Sequence, residues 1–537
     1  MKKVFFFLLA AIPVLGMAQK IDYKKVNAQA LREYQRPVRP GTNGENPFWN
    51  GFARKFMYAP AFDFPEKDGA REYVFEISDA QGRMWQMKAR SPKADLSPVW
   101  QQIPGGTDVT LRVYAVDRQG GKDATPLGER KFLRDFPFQG PYNTAARPYK
   151  EAALKAMLYV HRMKTIRHWE KNQTPNLGYK YNTYACKIMA ATIRNECMVA
   201  RYFPEERETA IQMARNVAAY LKSMSQPGGS PLAGFPPTYI NGVLGSAEIN
   251  PAEAVATTMC LEALPVAWSL LDLYNETKDR QYYDWALGIA DTYLRLQRAD
   301  GSLPIKVKVP SGEPVNESNA MLYPLVCLTD RLHSEYGIEK YEGMRLKAEQ
   351  WMRDVAIRSF NMTGQFEDVS VLNLKPYENL TNCTAAPYAD YLYSHKESTA
   401  ADLRDADDLM RLSEDQFTFW NMRPQANGIR QHTTPCVFEQ YKYQMSVDNS
   451  ACNVAGGFLA KYERTGDLLS LAKAIALTNS ITAVQNVCTG QIPTTWEQRT
   501  NVDAALSFWI NCQVSSINML LRMDEALRGK SSFRFIC

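Results

Sequence analysis

Hydrophobic and polar positions change their period once along this chain. From about Phe48 to Arg134 they alternate in twos, in Glu72-Tyr73-Val74-Phe75-Glu76-Ile77, in Met84-Trp85-Gln86-Met87 and from Val109 to Val116. The turn formers Asp79-Ala80-Gln81-Gly82 and Asp117-Arg118-Gln119-Gly120-Gly121 separate these runs. Short alternating runs broken by frequent turns predict a small β-sandwich. After Pro148 the spacing becomes helical and stays so. Twelve segments follow, near 148–171, 182–202, 204–224, 252–276, 279–298, 316–336, 340–359, 382–395, 399–421, 448–465, 467–486 and 503–526.

Two alternations run through these twelve. Odd-numbered segments are charged and amphipathic, as from Glu205 to Arg215, whereas even-numbered ones are small and apolar on every face, as from Ala254 to Leu264. A helix apolar all round must be buried and an amphipathic one covers it, so the even segments form an inner ring. Even-to-odd connections are a few residues long (Phe203-Pro204, Lys278-Asp279, Gly337-Ile338, Gly466-Asp467). Odd-to-even connections are long: 172–181, 225–251, 299–315, 360–381, 422–447 and 487–502. In a ring of antiparallel hairpins the long loops all emerge on one face, which is then the place to look for function.

Six inner and six outer helices make an (α/α)6 toroid. The turns Leu296-Gln297-Arg298-Ala299-Asp300-Gly301-Ser302-Leu303-Pro304, Thr363-Gly364-Gln365-Phe366-Glu367-Asp368 and Thr489-Gly490-Gln491-Ile492-Pro493 resemble the turns that follow outer helices in (α/α)6-barrel glycoside hydrolases and polysaccharide lyases. The resemblance covers about residues 148–526 and rests on repeat architecture and turns. It implies a carbohydrate-processing enzyme, with residues 146–537 as the catalytic toroid and residues 19–145 as a fibronectin type III-like sandwich before it. Fold alone does not fix the reaction.

Composition narrows the field further. The 537 residues are 45% apolar and 22% charged, which excludes a disordered, collagen-like, coiled-coil or multi-span membrane protein. A net charge of +6 with no basic run argues against nucleic acid as a partner. Met1-Lys2-Lys3, the apolar stretch Val4 to Leu15 and Gly16-Met17-Ala18 predict a cleaved signal over residues 1–18. The mature chain is expected to be exported, periplasmic or extracellular, without a lipid or membrane anchor. Of the ten cysteines, Cys186, Cys197, Cys260, Cys327, Cys452 and Cys512 lie in apolar helix patterns and are expected as buried thiols. Cys383, Cys436 and Cys488 lie in loops and are the candidates for disulfides.

Glycoside hydrolysis needs two carboxyl groups across a cleft. Twelve acids lie on the long-loop face, and helix-start chemistry accounts for some: Glu253 follows Asn250-Pro251 as a capping partner, and Asp300-Gly301 is a turn. The segment Thr494-Thr495-Trp496-Glu497-Gln498-Arg499 places an acid beside an indole and a guanidinium, so Glu497 is the first catalytic candidate, with Trp496 and Arg499 as sugar-binding residues. Asp448 and Glu317 follow, because inner-helix N-termini point at the central cleft. A lyase instead needs a base and a positive group near the acidic proton. Arg430, His432, Tyr441 and Tyr443, with Glu439 nearby, supply that set. Tyr239 is a further substrate-binding candidate.

No metalloprotease, Cys-x-x-Cys, nucleophile-elbow, phosphate-loop or dinucleotide motif is present, so a reaction without cofactor or metal is expected. Three readings stand. The first is an exported glycoside hydrolase acting on an oligo- or polysaccharide, with uronates suggested by Arg430 and Arg499. The second is a polysaccharide lyase using His432 and a tyrosine. The third is a glycan-binding protein without catalysis. Sugar, linkage and oligomeric state are not encoded legibly.

Overall fold

The computed structural model describes residues 21–38, 52–240, 251–365, 375–422, 431–442, 444–498 and 508–530. The leader expected at residues 1–18 lies outside them. The chain opens with a helix the alternation did not announce, α1 (Tyr23–Glu33), capped by the Asp22 carboxylate, which accepts from Lys24 N at 3.1 Å. Asp22 satisfies backbone N–H groups that have no partner inside the helix.

Seven strands follow: β1 (Lys55–Phe56), β2 (Ala61–Asp63), β3 (Glu72–Asp79), β4 (Met84–Ala89), β5 (Lys93–Asp95), β6 (Thr107–Val116) and β7 (Gly128–Arg134). Where two comparable sheets are expected, the chain forms a five-stranded sheet, in the order β1-β7-β6-β3-β4, and a separate β2–β5 ladder. β1 runs parallel to β7, and the other pairs are antiparallel. Aromatic side chains cover the inner sheet face in place of a second full sheet. Phe132 is met by Phe56, Phe62 and Trp100 with ring centroids at 5.1, 5.7 and 6.3 Å.

The twelve long helices among the described residues of the second part are α2 (Tyr149–Arg162), α3 (Ala185–Tyr202), α4 (Arg207–Met224), α5 (Ala263–Thr277), α6 (Arg280–Leu296), α7 (Tyr323–Tyr336), α8 (Glu342–Trp351), α9 (Ala385–Ser394), α10 (Ala400–Phe417), α11 (Asp448–Thr465), α12 (Leu468–Val484) and α13 (Ile510–Leu527). The inner helices α3, α5, α7, α9, α11 and α13 touch in that order, and α13 returns to α3, so the ring closes. Each inner helix except α13 is followed by its outer partner, and α2 packs on α13. Burial follows the expected rule: nearly every residue of α3 from Ala185 to Ala200 is buried, whereas α6 buries one stripe. Gly337 and Gly466 end α7 and α11 in the left-handed region, at φ 67° and 74°, so a tight turn leads straight into the outer helix.

Two differences from the expected pattern have clear causes. Inner helices α5, α7 and α13 begin later than expected. Pro265 and Pro324 require this in the first two, because proline is tolerated in a helix's first turn but not in its interior. Before α5 the chain forms a short helix, Pro251–Ala256, and a strand, Thr257–Met259, paired with Lys306–Lys308. Second, outer helix α12 is apolar on nearly all sides and buried, because α1 lies over it and Gln29 donates to Asp467 at 2.9 Å.

The two parts share one hydrophobic core. Lys55 Nζ reaches Asp135 and the Thr418 carbonyl at 2.8 Å each, and Asp415 accepts from Met57 N and Tyr58 N at 2.7 and 2.8 Å. No disulfide joins the nine described cysteines to one another, and Cys436, an expected pairing candidate, is a buried thiol. Among the described residues no helix is long and apolar enough to cross a membrane.

Candidate functional site

The first turns of all six inner helices, with the loops that feed them, enclose a cavity of about 370 Å³. Tyr181, Tyr184 and Lys187 come from the start of α3, Glu262 and Pro265 from that of α5, and Met321 and Tyr323 from that of α7. Thr384 precedes α9, Glu439 and Asn449 flank the start of α11, and Trp509, Asn511 and Cys512 open α13. One wall is aromatic. Tyr181 stacks on Trp509 at 4.1 Å and 29°, and Tyr184 leans on it at 5.0 Å and 40°. The indole is held in place from its backbone: Trp509 N donates to Thr494 Oγ1 at 2.8 Å, while Tyr179 Oη donates to the Phe508 carbonyl at 2.9 Å. Lys187 Nζ lies 5.7 Å from the indole centroid, within cation–π range.

Two carboxylates, Glu262 and Glu439, belong to the lining, one from the foot of the second inner helix and one from the loop feeding the fifth. They stand on well-separated arcs of the ring. Two lining carboxamides, Asn449 and Asn511, have buried Oδ1 atoms with no hydrogen-bond partner among the described residues. A buried acceptor without a donor costs free energy, so these two oxygens mark where a ligand's O–H or N–H groups belong. Among the described residues, no three or more His, Cys, Asp or Glu side chains gather as a metal site would.

The sequence candidates fall at varied distances from this cavity. Asp448 is fully buried behind the lining, accepts from Ser516 Oγ at 3.0 Å and from Asn449 N at 2.9 Å, and burial pushes its carboxyl well above the usual range. It belongs to the layer of side chains behind the cavity lining. Glu317 is exposed on the turn before α7 and does not line the cavity. Trp496 is buried, with its backbone N–H on the Ser446 carbonyl at 3.2 Å, outside the lining. Tyr441 is buried against Phe417, and its hydroxyl donates to Gln416 Oε1. Tyr239 stands behind Tyr184, edge to face at 5.9 Å, and Lys306 Nζ lies 5.9 Å from its ring. His432 and Glu497 are paired residues of a two-stranded antiparallel ladder, next to the cavity-lining Thr494 and Thr495. The ladder brings two distant loops together. Arg430, Tyr443 and Arg499 lie outside the described residues. Glu253 is held by Lys306 at 2.9 Å, and Asn250, its expected capping partner, lies outside the described residues.

Sequence reasoning passed over Lys187, Glu262 and Trp509 because all three look like ordinary helix residues. The signal that finds Glu262 is its place just before Pro265, which fixes a helix start at the cavity. Trp509 likewise precedes Ile510, the first residue of α13.

No protein-family model and no curated protein matches the chain. Solved structures do match it. A D-mannose isomerase superposes with a TM-score of 0.50 at 10% identity, over 70% of this chain and 97% of its own. The chain folds as an (α/α)6 toroid. Two further toroids are similar to it. A cellobiose 2-epimerase from Spirochaeta thermophila has a TM-score of 0.49 at 9% identity, over 71% of this chain and 98% of its own. A family 76 glycoside hydrolase from a bovine Bacteroides thetaiotaomicron strain has a TM-score of 0.45 at 10% identity, over 84% of this chain and 93% of its own.

Proposed function

We propose that this toroid is an exported carbohydrate-active enzyme, a glycoside hydrolase whose acid and base are Glu262 and Glu439. The observation that carries the reading is the cavity's composition: an aromatic wall at Trp509, two carboxylates on separate arcs of the ring, and two carboxamide oxygens with no donor among the described residues. A pyranose offers an apolar face to an indole and hydroxyls to acceptors, so this lining suits it better than it suits a flat or apolar ligand. Glu262 protonates the leaving glycosidic oxygen while Glu439 takes a proton from water, which attacks the anomeric carbon as the C–O bond breaks. Lys187 adds a positive charge to the lining, which suits an acidic substituent.

Incubating the protein with neutral and acidic glycans tests this. A hydrolase releases new reducing ends without ultraviolet absorbance. An absorbing unsaturated uronate would favour the His432 lyase, and conversion of a free sugar without new reducing ends would favour an isomerase, the activity named for one similar toroid. Glu439→Gln is expected to lower turnover by about 10²- to 10⁴-fold with the melting temperature unchanged. Wild-type turnover in that variant would remove Glu439 from catalysis.

A further inference from the structure

Glu439 does not stand on a helix, and its loop is held by two clamps built from buried side chains. Gln440, 1% exposed, donates Nε2 to Glu439 Oε2 at 3.3 Å. The same carboxamide accepts from Asn379 Nδ2 at 2.8 Å, and this second bond sets which way Gln440 faces. With its oxygen taken by a donor, Gln440 must present N–H to Glu439. Asn379 in turn accepts from Lys442 N at 2.9 Å, so it grips the loop on both sides of Tyr441.

Tyr441 is the second clamp. Its hydroxyl meets Gln416 Oε1, and Gln416 Nε2 donates to Asp415 Oδ2 at 2.7 Å and to the Lys55 carbonyl at 3.2 Å. Asp415 is itself held by the backbone N–H groups of Met57 and Tyr58. A continuous run of hydrogen bonds therefore leads from strand β1 of the N-terminal part to the residue two places from Glu439. The backbone agrees, with Asn382 N on the Glu439 carbonyl at 2.8 Å and Tyr441 N on that of Leu380 at 3.1 Å.

We infer that Gln440, oriented by Asn379, is a positioning residue that holds Glu439 in its ionised, base-competent state, and that Tyr441 anchors this loop to the N-terminal part, which thereby serves the site. The inference rests on Glu439 being the base. A donated N–H favours the charged carboxylate, so its loss moves the acidic limb of the pH–rate profile to higher pH.

The test compares Glu439→Gln, Gln440→Met, Asn379→Ala and Tyr441→Phe in the full chain, with kcat, KM and the pH–rate profile measured on a cleaved glycan and melting temperature as a control. Gln440→Met is expected to shift the acidic limb upward by about one pH unit and to lower kcat about tenfold, with KM little changed. Asn379→Ala should shift the limb in the same direction by less, because Gln440 then turns freely; it also decides the matter if Gln440→Met fails to fold. Tyr441→Phe should lower kcat with the limb in place. If Glu439→Gln is inactive but neither Gln440→Met nor Asn379→Ala moves the limb, the positioning role is overturned and the hydrolase reading stands. If Glu439→Gln keeps full turnover, both fall.

Discussion

The two ends of the inner ring handle charge in opposite ways. Toward the C-terminal halves of the helices, charged groups are spent on each other. Arg522 is completely buried and reaches Asp390 at 2.6 Å and Glu463 at 3.1 Å, tying α13 to α9 and α11. Arg331 does the same for α7 and α5 through Asp272 at 2.8 Å. His161 of α2 meets Glu196 of α3 at 2.5 Å. At the N-terminal end, Lys187, Glu262 and Glu439 line a cavity, beside the carboxamides of Asn449 and Asn511. One set of helices thus gives a welded end and a working end. Connection length explains the difference, since short turns bring neighbouring helices together and long loops leave room between them.

This contrast can be broken by removing charge at the welded end. Arg522→Met leaves Asp390 buried without its cation, and should cost about 3–5 kcal/mol in urea unfolding while the folded fraction keeps its saccharide affinity. Loss of affinity without loss of stability would mean that the welded end is also functional. At the working end, Trp509→Ala should weaken saccharide binding about tenfold, close to 1.4 kcal/mol, with a small change in melting temperature, as calorimetric titration would read.

The His161 pair offers a smaller and pH-dependent effect. Burial is the largest single influence and opposes the imidazolium, but the Glu196 and Glu206 carboxylates together outweigh it, and the His161 pKa is raised above its usual value. A raised folded-state pKa contributes stability that is complete below about pH 6.5 and is lost as pH rises through the folded value. Unfolding free energy should therefore decline on the alkaline side, and His161→Gln should flatten that decline. A decline of the same slope in the variant would place its origin elsewhere. The smallest effect belongs to Glu317→Gln. Its side chain is exposed, so stability should stay within about 0.5 kcal/mol and turnover within error.

Much of this architecture was legible before any coordinates. The change of period after Pro148, the alternation of apolar and amphipathic helices and the alternation of loop lengths suffice to specify a ring with one elaborate face. The site was harder to read. Asp448 and Glu317 were chosen because they stand near inner-helix starts, yet where an acid sits along the chain does not say whether it faces the cavity, the supporting layer or solvent. Asp448 faces the layer behind, and Glu317 faces water. Tyr441 reads from the sequence as part of a lyase set beside His432, and it is instead buried on Gln416. Glu439 is one of twelve acids on the long-loop face, and nothing in the sequence sets it apart from the others.

What the amino-acid order determined by itself is periodicity: which stretches are helices, which of them must be inside, and which ends carry long connections. These follow from local spacing of apolar groups and from proline and glycine positions, all of which act over a few residues. Tertiary structure alone decided which side chains converge. Lys187, Glu262, Glu439 and Trp509 are spread over more than three hundred residues, and they meet because ring closure brings α13 back to α3. It also decided that the N-terminal part reaches the Glu439 loop, through Asp415 and Gln416, since a hydrogen bond between strand β1 and helix α10 leaves no local trace in either segment.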